Sequence, residues 1–195
     1  ETVAFAFFKN LLTSQMGGKG DDGDFWSNRA SQIVNEIALK VWQTKTPDNE
    51  TAAQKWHNLA AELKHKIEGM TQDGTTQASL AATMQVGTDI IYLLAWRAQD
   101  QGAKFFTLEE YFNGKKNLFM LNNQAYSQTL TPLFAGFTAA ATSIILGMPD
   151  TKTNLTFFIL DEYFSLAMDV ETQTALLTMA RSKGGCLLLA AQMLP

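Results

Sequence analysis

The sequence has a single cysteine, Cys186, in its 195 residues, which excludes an internal disulfide and favours a reduced, cytosolic setting. It is also poor in charge, since charged residues make up 17% of the chain and the net charge is −4 at pH 7. The chain as a whole is therefore no polycation, and most of its surface is not expected to bind DNA non-specifically. A local basic patch is still compatible with this net charge. A hydrophobic content of 46% predicts a globular protein.

A long stretch without charge, residues 118–149, raises the question of a membrane span. Its most apolar window, residues 130–148, is interrupted by threonine, serine, glycine and proline, whereas spans of about 20 residues are more strongly apolar. The sequence therefore predicts a buried core helix here. We also find no signal peptide.

A phosphate-binding loop is missing as well. Residues 17–24 are rich in glycine, but Lys19 is followed by Gly20 rather than serine or threonine, and neighbouring aspartates would repel phosphate. This stretch is predicted to be a flexible linker, with Asp24 capping the helix that follows. Because the chain has no initiator methionine and stops after an apolar run, we expect it to be a piece of a longer protein.

Three amphipathic helices without a strand between them are predicted over residues 25–42, 52–70 and 76–101, which indicates a compact helical domain. The outer face of the second carries a group of basic residues: Lys55, His57, Lys64, His65 and Lys66. A solvated face and a docking surface for an acidic partner or DNA both fit this pattern. The two histidines lie about two turns apart, too far to share a metal ion.

The order of elements changes after Gly102. A short helix capped by Thr107 is followed by strands over residues 118–121, 155–160 and 186–191, with helices between them ending near residues 146 and 181. Alternating strands and helices predict a doubly wound, parallel α/β unit. The second strand is expected to be buried on both faces because its apolar run is continuous.

Asp161 and Glu162 follow this second strand, where open α/β sheets place their ligands. An apolar strand ending in Asp-Glu is the pattern of a Walker B motif. In that role Asp161 holds Mg²⁺, and Glu162 orients or deprotonates the water that attacks the γ-phosphate of ATP. Since many buried strands end in an acid, a purely structural role stays open.

Several stretches together resemble the RecA-like ATPases of the type IV coupling proteins, the TraD/TraG-type motors of conjugation and type IV secretion. They are the Ile-Leu-Asp-Glu run at 159–162, the Ala-Arg-x-x-Gly-Gly run at 180–185, the Ala-Gln pair at 191–192, residues 116–121 with 128–133, and the Asp-Phe-Trp run at 24–26. The resemblance implies an α/β, helix-rich fold of the P-loop NTPase type, with a partial parallel sheet and an inserted all-α domain. It departs from the family pattern in lacking a Walker A loop and membrane helices.

The resemblance also implies roles for single residues. Asp161 corresponds to the Mg²⁺-coordinating acid, Glu162 to the catalytic glutamate, and Gln192 to the sensor of the γ-phosphate. Arg181 corresponds either to an arginine finger facing a neighbouring subunit's nucleotide or to a partner of a helix carboxylate. Lys55, Lys64 and Lys66 would then belong to a surface for cargo or DNA.

At the level of the whole protein, the resemblance implies a homo-hexameric ATPase at the cytoplasmic face of the bacterial inner membrane. Its partners would be secretion substrates, a relaxase or relaxosome, adaptor proteins and DNA. Residues 1–21 would belong to the nucleotide-binding domain or a linker, 22–104 to the all-α domain, and 105–195 to the rest of the nucleotide-binding domain. The chain alone is expected to be inactive because the Walker A loop is absent. A cargo-binding module and a RecA-like domain of another helicase or translocase are the alternatives.

Overall fold

A computed structural model of the chain describes residues 2–16, 20–43, 51–71, 74–100, 104–114, 117–121, 124–161, 166 and 168–190. The chain forms two compact units, one made of Lys19–Leu118 and the other of Thr2–Gly18 together with Phe119–Pro195. We call them the helical unit and the sheet unit. The assignment of functional domains to residues 1–21, 22–104 and 105–195 stays a prediction.

The elements run in the following order: α1 Thr2–Met16, α2 Gly20–Gln43, α3 Ala52–Met70, α4 Thr75–Ala98, α5 Leu108–Asn113, α6 Ser127–Leu146, β1 Thr156–Leu160, α7 Val170–Thr174 and β2 Gly185–Leu189. A 3₁₀ turn, Gln124–Tyr126, precedes α6. After α7 the chain continues as a π-helical turn, Ala175–Met179, and a 3₁₀ turn, Ala180–Lys183. The chain is thus rich in helix, with a small parallel sheet of two strands among the described residues.

The helical unit is built on apolar stripes of α2, α3 and α4 that pack against one another. The buried residues recur every three or four positions, as the sequence predicted. They are Ala30, Val34, Ala38 and Val41 on α2, Leu59, Ala60, Leu63, Ile67 and Met70 on α3, and Leu80, Ala81, Met84, Ile90, Ile91 and Ala95 on α4. Each large aliphatic side chain buried in this way contributes about 1.5–3 kcal/mol to folding.

Two helices of this unit begin with capping boxes. The Thr51 hydroxyl accepts from the Gln54 N–H, and the Gln54 side chain accepts from the Thr51 N–H, which fixes the start of α3. Thr107 and Glu110 do the same for α5, so the predicted Thr107 cap is confirmed. The caps satisfy backbone groups that a helix start otherwise leaves without partners.

The prediction of a flexible linker over residues 17–24 is wrong for its second part. Residues 20–24 are helical and belong to α2, so Asp24 lies inside the helix instead of capping it. Residues 17–19 lie outside the described part of the chain.

In the sheet unit, α1 packs against α6. Gly136 of α6 lies so close to Phe7 that an added Cβ would be 3.0 Å from both its ring and its carbonyl oxygen. The Phe7 and Phe137 rings meet edge to face at 5.7 Å. Along α6 the buried positions are small residues together with a proline and an isoleucine, and they form the face that the uncharged helix turns to its neighbour.

Two helices, α4 and α6, are long and apolar enough to span a membrane by length and composition. The core helix of a soluble protein passes the same test. In α6, 44% of the most apolar window is buried inside the unit, and the predicted role of a buried core helix stays a prediction.

The sheet consists of β1 and β2, which are parallel and pair Thr156 with Gly185 through Leu160 with Leu189. The prediction that the first of these strands is buried on both faces is wrong. Phe157 is 67% and Ile159 70% exposed, while Leu160 on the other face is buried. An apolar run shows that a strand is able to bury both faces, but whether it does so depends on the elements that pack against it. The described residues cover only one face of β1.

The strand predicted for residues 118–121 is also wrong. This segment is irregular, and its four apolar residues are all exposed, Phe119 to 80% and Leu121 to 84%. A strand needs a partner for its backbone groups, and in the described part of the chain β1 pairs with β2 alone.

The helix predicted from about residue 163 begins at Val170 in the described residues, with residues 163–165 outside them. Asp169 caps it by accepting from the Thr172 N–H at 3.2 Å. Gly184 ends the following turns with φ +83°, and its carbonyl oxygen accepts from the Thr156 N–H at 2.9 Å. This glycine therefore joins the starts of both strands.

Candidate functional site

The carboxyl ends of β1 and β2 lie side by side. Leu160 pairs with Leu189, and the Ala190 N–H donates to the Leu160 carbonyl oxygen at 3.0 Å. Asp161 follows Leu160 in an exposed turn, so its carboxylate stands at this edge of the sheet. Ligands bind at such an edge in open α/β sheets.

Two residues predicted to share this edge, Glu162 and Gln192, lie outside the described part of the chain. Their roles as catalytic glutamate and γ-phosphate sensor stay predictions. The pairing of Leu160 with Leu189 nevertheless brings together the last residues of β1 and β2, which precede Glu162 by two positions and Gln192 by three.

The fit of this edge to Mg²⁺ rests on one carboxylate, that of Asp161. Among the described residues no three acidic, histidine or cysteine side chains are grouped as a metal cage. Magnesium in nucleotide sites keeps several waters and uses one or two carboxylates together with the phosphates, so a single exposed aspartate suits it.

Arg181 lies elsewhere. It is exposed on the 3₁₀ turn that precedes β2, at the amino end of the strand. A strand of five residues rises about 16 Å, so within one chain Arg181 and Asp161 are at opposite ends of the sheet. The neighbouring Lys183 binds a carboxylate here: its Nζ lies 2.7 Å from Asp150, and this hydrogen bond and charge hold the pKa of Asp150 below its usual value. The role of Arg181 stays a prediction.

A buried polar network that the sequence did not predict ties α1 to the start of α7. Asn10 is fully buried; its amide donates to the Thr172 hydroxyl at 3.1 Å, and its oxygen accepts from the Asp169 N–H at 3.0 Å. Lys9 lies 3.4 Å from Asp169 and 2.8 Å from Glu171. The pattern of Asp169 before a helix was readable as a cap, but nothing in the sequence showed that its partners come from residues 9 and 10.

The charges in this network shift each other's pKa. Burial alone would raise the pKa of Asp169, but hydrogen bonds from Thr172 and Asn10 and the charge of Lys9 outweigh it, so this pKa is lowered. Burial alone would lower the pKa of Lys9, but Glu171 and Asp169 outweigh it, and the pKa is raised. Both groups are therefore held in their charged forms.

The three lysines predicted as a cargo or DNA surface have different surroundings. Lys55 donates to the Trp42 carbonyl oxygen at 3.2 Å, and Lys64 lies 3.9 Å from Glu68 in an exposed pair. Lys66 instead lines a groove of about 500 Å³ between α2, α3 and the start of α4, together with His65. Their role in binding stays a prediction.

Comparison with known families gives a match that covers nearly the whole chain. The model of the DNA-binding domain of type IV secretion-system coupling proteins matches residues 3–194. The chain belongs to this family. The match covers both units of the coupling-protein chain, and it confirms the resemblance found in the sequence. No match was found among curated proteins or among solved structures.

Proposed function

We propose that this chain is part of an ATP-driven coupling protein that recruits DNA or protein substrates and pumps them to a type IV secretion or conjugation channel. The observation that carries the proposal is the family match over residues 3–194. The exposed Asp161 at the carboxyl edge of the parallel pair β1–β2 supports it, because this is the position of a Walker B acid in a RecA-like sheet.

In this proposal each residue at the sheet edge has a separate role in ATP hydrolysis. Asp161 holds Mg²⁺, which neutralises charge on the phosphates when the nucleotide is bound. Glu162 accepts a proton from the attacking water, and Gln192 contacts the γ-phosphate from the end of the neighbouring strand. Arg181, exposed at the opposite end of the sheet, is available to a nucleotide held by an adjacent subunit.

The proposed assembly is a homo-hexamer at the cytoplasmic face of the bacterial inner membrane, anchored through a region outside this chain. Its partners are secretion substrates, a relaxase or relaxosome and adaptor proteins, with DNA as a further partner. The family description, a DNA-binding domain, supports DNA as a partner.

The proposed chemistry is tested by phosphate release from the parent coupling protein, expressed with its phosphate-binding loop. Glu162→Gln should keep nucleotide binding but slow hydrolysis by about 100-fold or more, because the amide cannot accept the water's proton. Asp161→Asn should also weaken Mg²⁺-dependent binding. Lys152→Gln, an exposed position before β1, serves as the control and should hydrolyse ATP normally. Full activity in Glu162→Gln would overturn the motor assignment.

A second candidate function, a binding module for cargo or an adaptor, is favoured by the groove of the helical unit, whose walls carry charged residues of both signs. The two functions are compatible in one parent protein. They are separated by measuring partner binding without nucleotide.

A further inference from the structure

The groove between α2, α3 and the start of α4 has an apolar floor. Met70 and Leu80 are buried there, whereas Ile33 and Ile37 are only partly covered. The two isoleucines are four residues apart, so they lie one above the other on the same face of α2. Residues Val34 and Ala38, one position further along, are fully packed in the core. The apolar surface of α2 therefore extends beyond what the bundle itself covers.

Charged residues of both signs line the walls. On α2, Arg29 and Lys40 stand on either side of Glu36 along the helix, and on α3 Glu62 precedes His65 and Lys66. The six wall residues are all exposed. The carboxylates of Glu36 and Glu62 interrupt the cations Arg29, Lys40 and Lys66, so the groove lacks the continuous positive surface that a phosphate backbone favours. A partner with both acidic and basic side chains can pair with each wall.

We propose that this groove docks an amphipathic α-helix of a partner protein, with apolar anchors one turn apart that cover Ile33 and Ile37 and with flanking residues of both charges. Helix-in-groove recognition has this chemistry, with anchors at i, i+3 or i+4 and i+7 set into an apolar floor. Lysine and glutamate on the walls would then select the orientation and the partner more than they add affinity.

The inference deepens the proposed function, because it assigns recognition of a cargo or adaptor protein to this groove. The test needs no nucleotide, so failure of the ATPase assignment would leave its result unchanged. The probe is a fluorescein-labelled synthetic peptide of about 18 residues, long enough to form a helix, with leucines at helical spacing and glutamate and lysine elsewhere. A scrambled peptide of the same composition lacks the stripe.

Fluorescence anisotropy on the whole chain should show binding of the striped peptide and at least about tenfold weaker binding of the scrambled one. Ile37→Lys, at the groove floor, should weaken the striped peptide about tenfold or more. Leu93→Lys, an exposed apolar position of α4 outside the groove, is the matched control and should bind within about twofold of the wild type. Far-UV circular dichroism checks that both variants keep their helices.

A second variant keeps the test decisive if Ile37→Lys unfolds. Glu62→Lys changes only an exposed wall residue. The variant should bind a striped peptide with lysines beside the leucine stripe more weakly, because the new lysine repels them. It should bind a striped peptide with glutamates in those positions more tightly. Equal binding of the striped and scrambled peptides, or equal losses in Ile37→Lys and Leu93→Lys, would overturn the proposal. Binding of a DNA duplex of about 20 base pairs that Ile37→Lys weakens, with no peptide binding, would assign the groove to DNA instead.

Discussion

Gly184 adopts a backbone conformation that residues with a side chain rarely adopt, with φ +83°. An added Cβ would also lie far inside contact distance of the Asn154 carbonyl oxygen. We expect Gly184→Ala to lower the free energy of unfolding of the sheet unit by about 2 kcal/mol or more, because both conformation and contact must be relieved. Urea unfolding followed by far-UV circular dichroism measures the change.

The matched control is Gly147→Ala, at the end of α6, where φ is −76° and an added Cβ would lie 3.4 Å from the Ile144 carbonyl oxygen. This substitution should leave stability within about 1 kcal/mol of the wild type. Equal effects of the two substitutions would show that Gly184 is not held by its conformation.

Tyr92 illustrates the cost of an unsatisfied polar atom. Its hydroxyl is buried and has no hydrogen-bond partner among the described residues, and burial, followed by the charges of Glu68 and Asp89, raises its pKa. Since removing the hydroxyl removes a desolvated group without breaking a bond, Tyr92→Phe should leave the helical unit as stable as before or raise its stability by up to about 1 kcal/mol. A thermal melt recorded by tryptophan fluorescence checks this, and a fall of the midpoint would reveal a partner for the hydroxyl.

At the scale of elements, the network between α1 and α7 predicts a dependence of stability on pH. The pKa of Asp169 is lowered by folding, so its contribution is present above the unfolded pKa of about 3.9 and is lost as pH falls through the folded value. The pKa of Lys9 is raised, so its contribution is present below about pH 10.4 and is lost above the folded value.

Asp169→Asn should therefore lower the free energy of unfolding by about 1–3 kcal/mol at pH 7, and the difference from the wild type should shrink below about pH 4. Urea unfolding at several pH values from about 2.5 to about 7, a range that brackets the pKa of an aspartate, measures the loss at neutral pH and its decrease at low pH. Asp150→Asn, whose carboxylate is exposed beside Lys183, is the control and should change stability much less. A difference that stays constant down to the lowest pH would contradict the assignment to ionised Asp169.

Helices were more predictable than strands because a helix reports its buried face through its own periodicity. The stripes of α2, α3 and α4 gave the core of the helical unit directly. The apolar runs at 118–121 and 155–160 looked alike, yet one is an exposed irregular segment and the other a paired strand with one exposed face. A strand depends on partners elsewhere in the chain, and a local pattern does not contain them.

In the candidate site, too, features that depend on local sequence were predictable and features that depend on distant partners were not. Asp161 was predicted from the end of an apolar run, and the structure places it at the carboxyl edge of the sheet. Asn10 and Lys9 were not predicted because their partners lie about 160 positions away in sequence, and such contacts follow from packing alone. The groove was missed for a related reason, since its walls come from three helices.

At the scale of the molecule, the two units offer separate spectroscopic signals. All four tryptophans, Trp26, Trp42, Trp56 and Trp96, belong to the helical unit. Ile67→Ala, in the core of this unit, should cost about 2–5 kcal/mol and shift the unfolding curve recorded by tryptophan fluorescence. Gly184→Ala should leave that fluorescence curve in place and shift part of the circular-dichroism curve. A common shift of both signals in both variants would show that the units unfold as one.

The position of α1 has a consequence for how the protein is made. Helix α1 packs against α6, but the whole helical unit lies between them in the sequence. At about 5–20 residues per second, a ribosome needs on the order of ten seconds to make the intervening segment. During that time the apolar side chains of α1, Phe8, Leu11 and Leu12, have no α6 to cover them. The newly made helix is therefore a site where a chaperone can bind the growing chain.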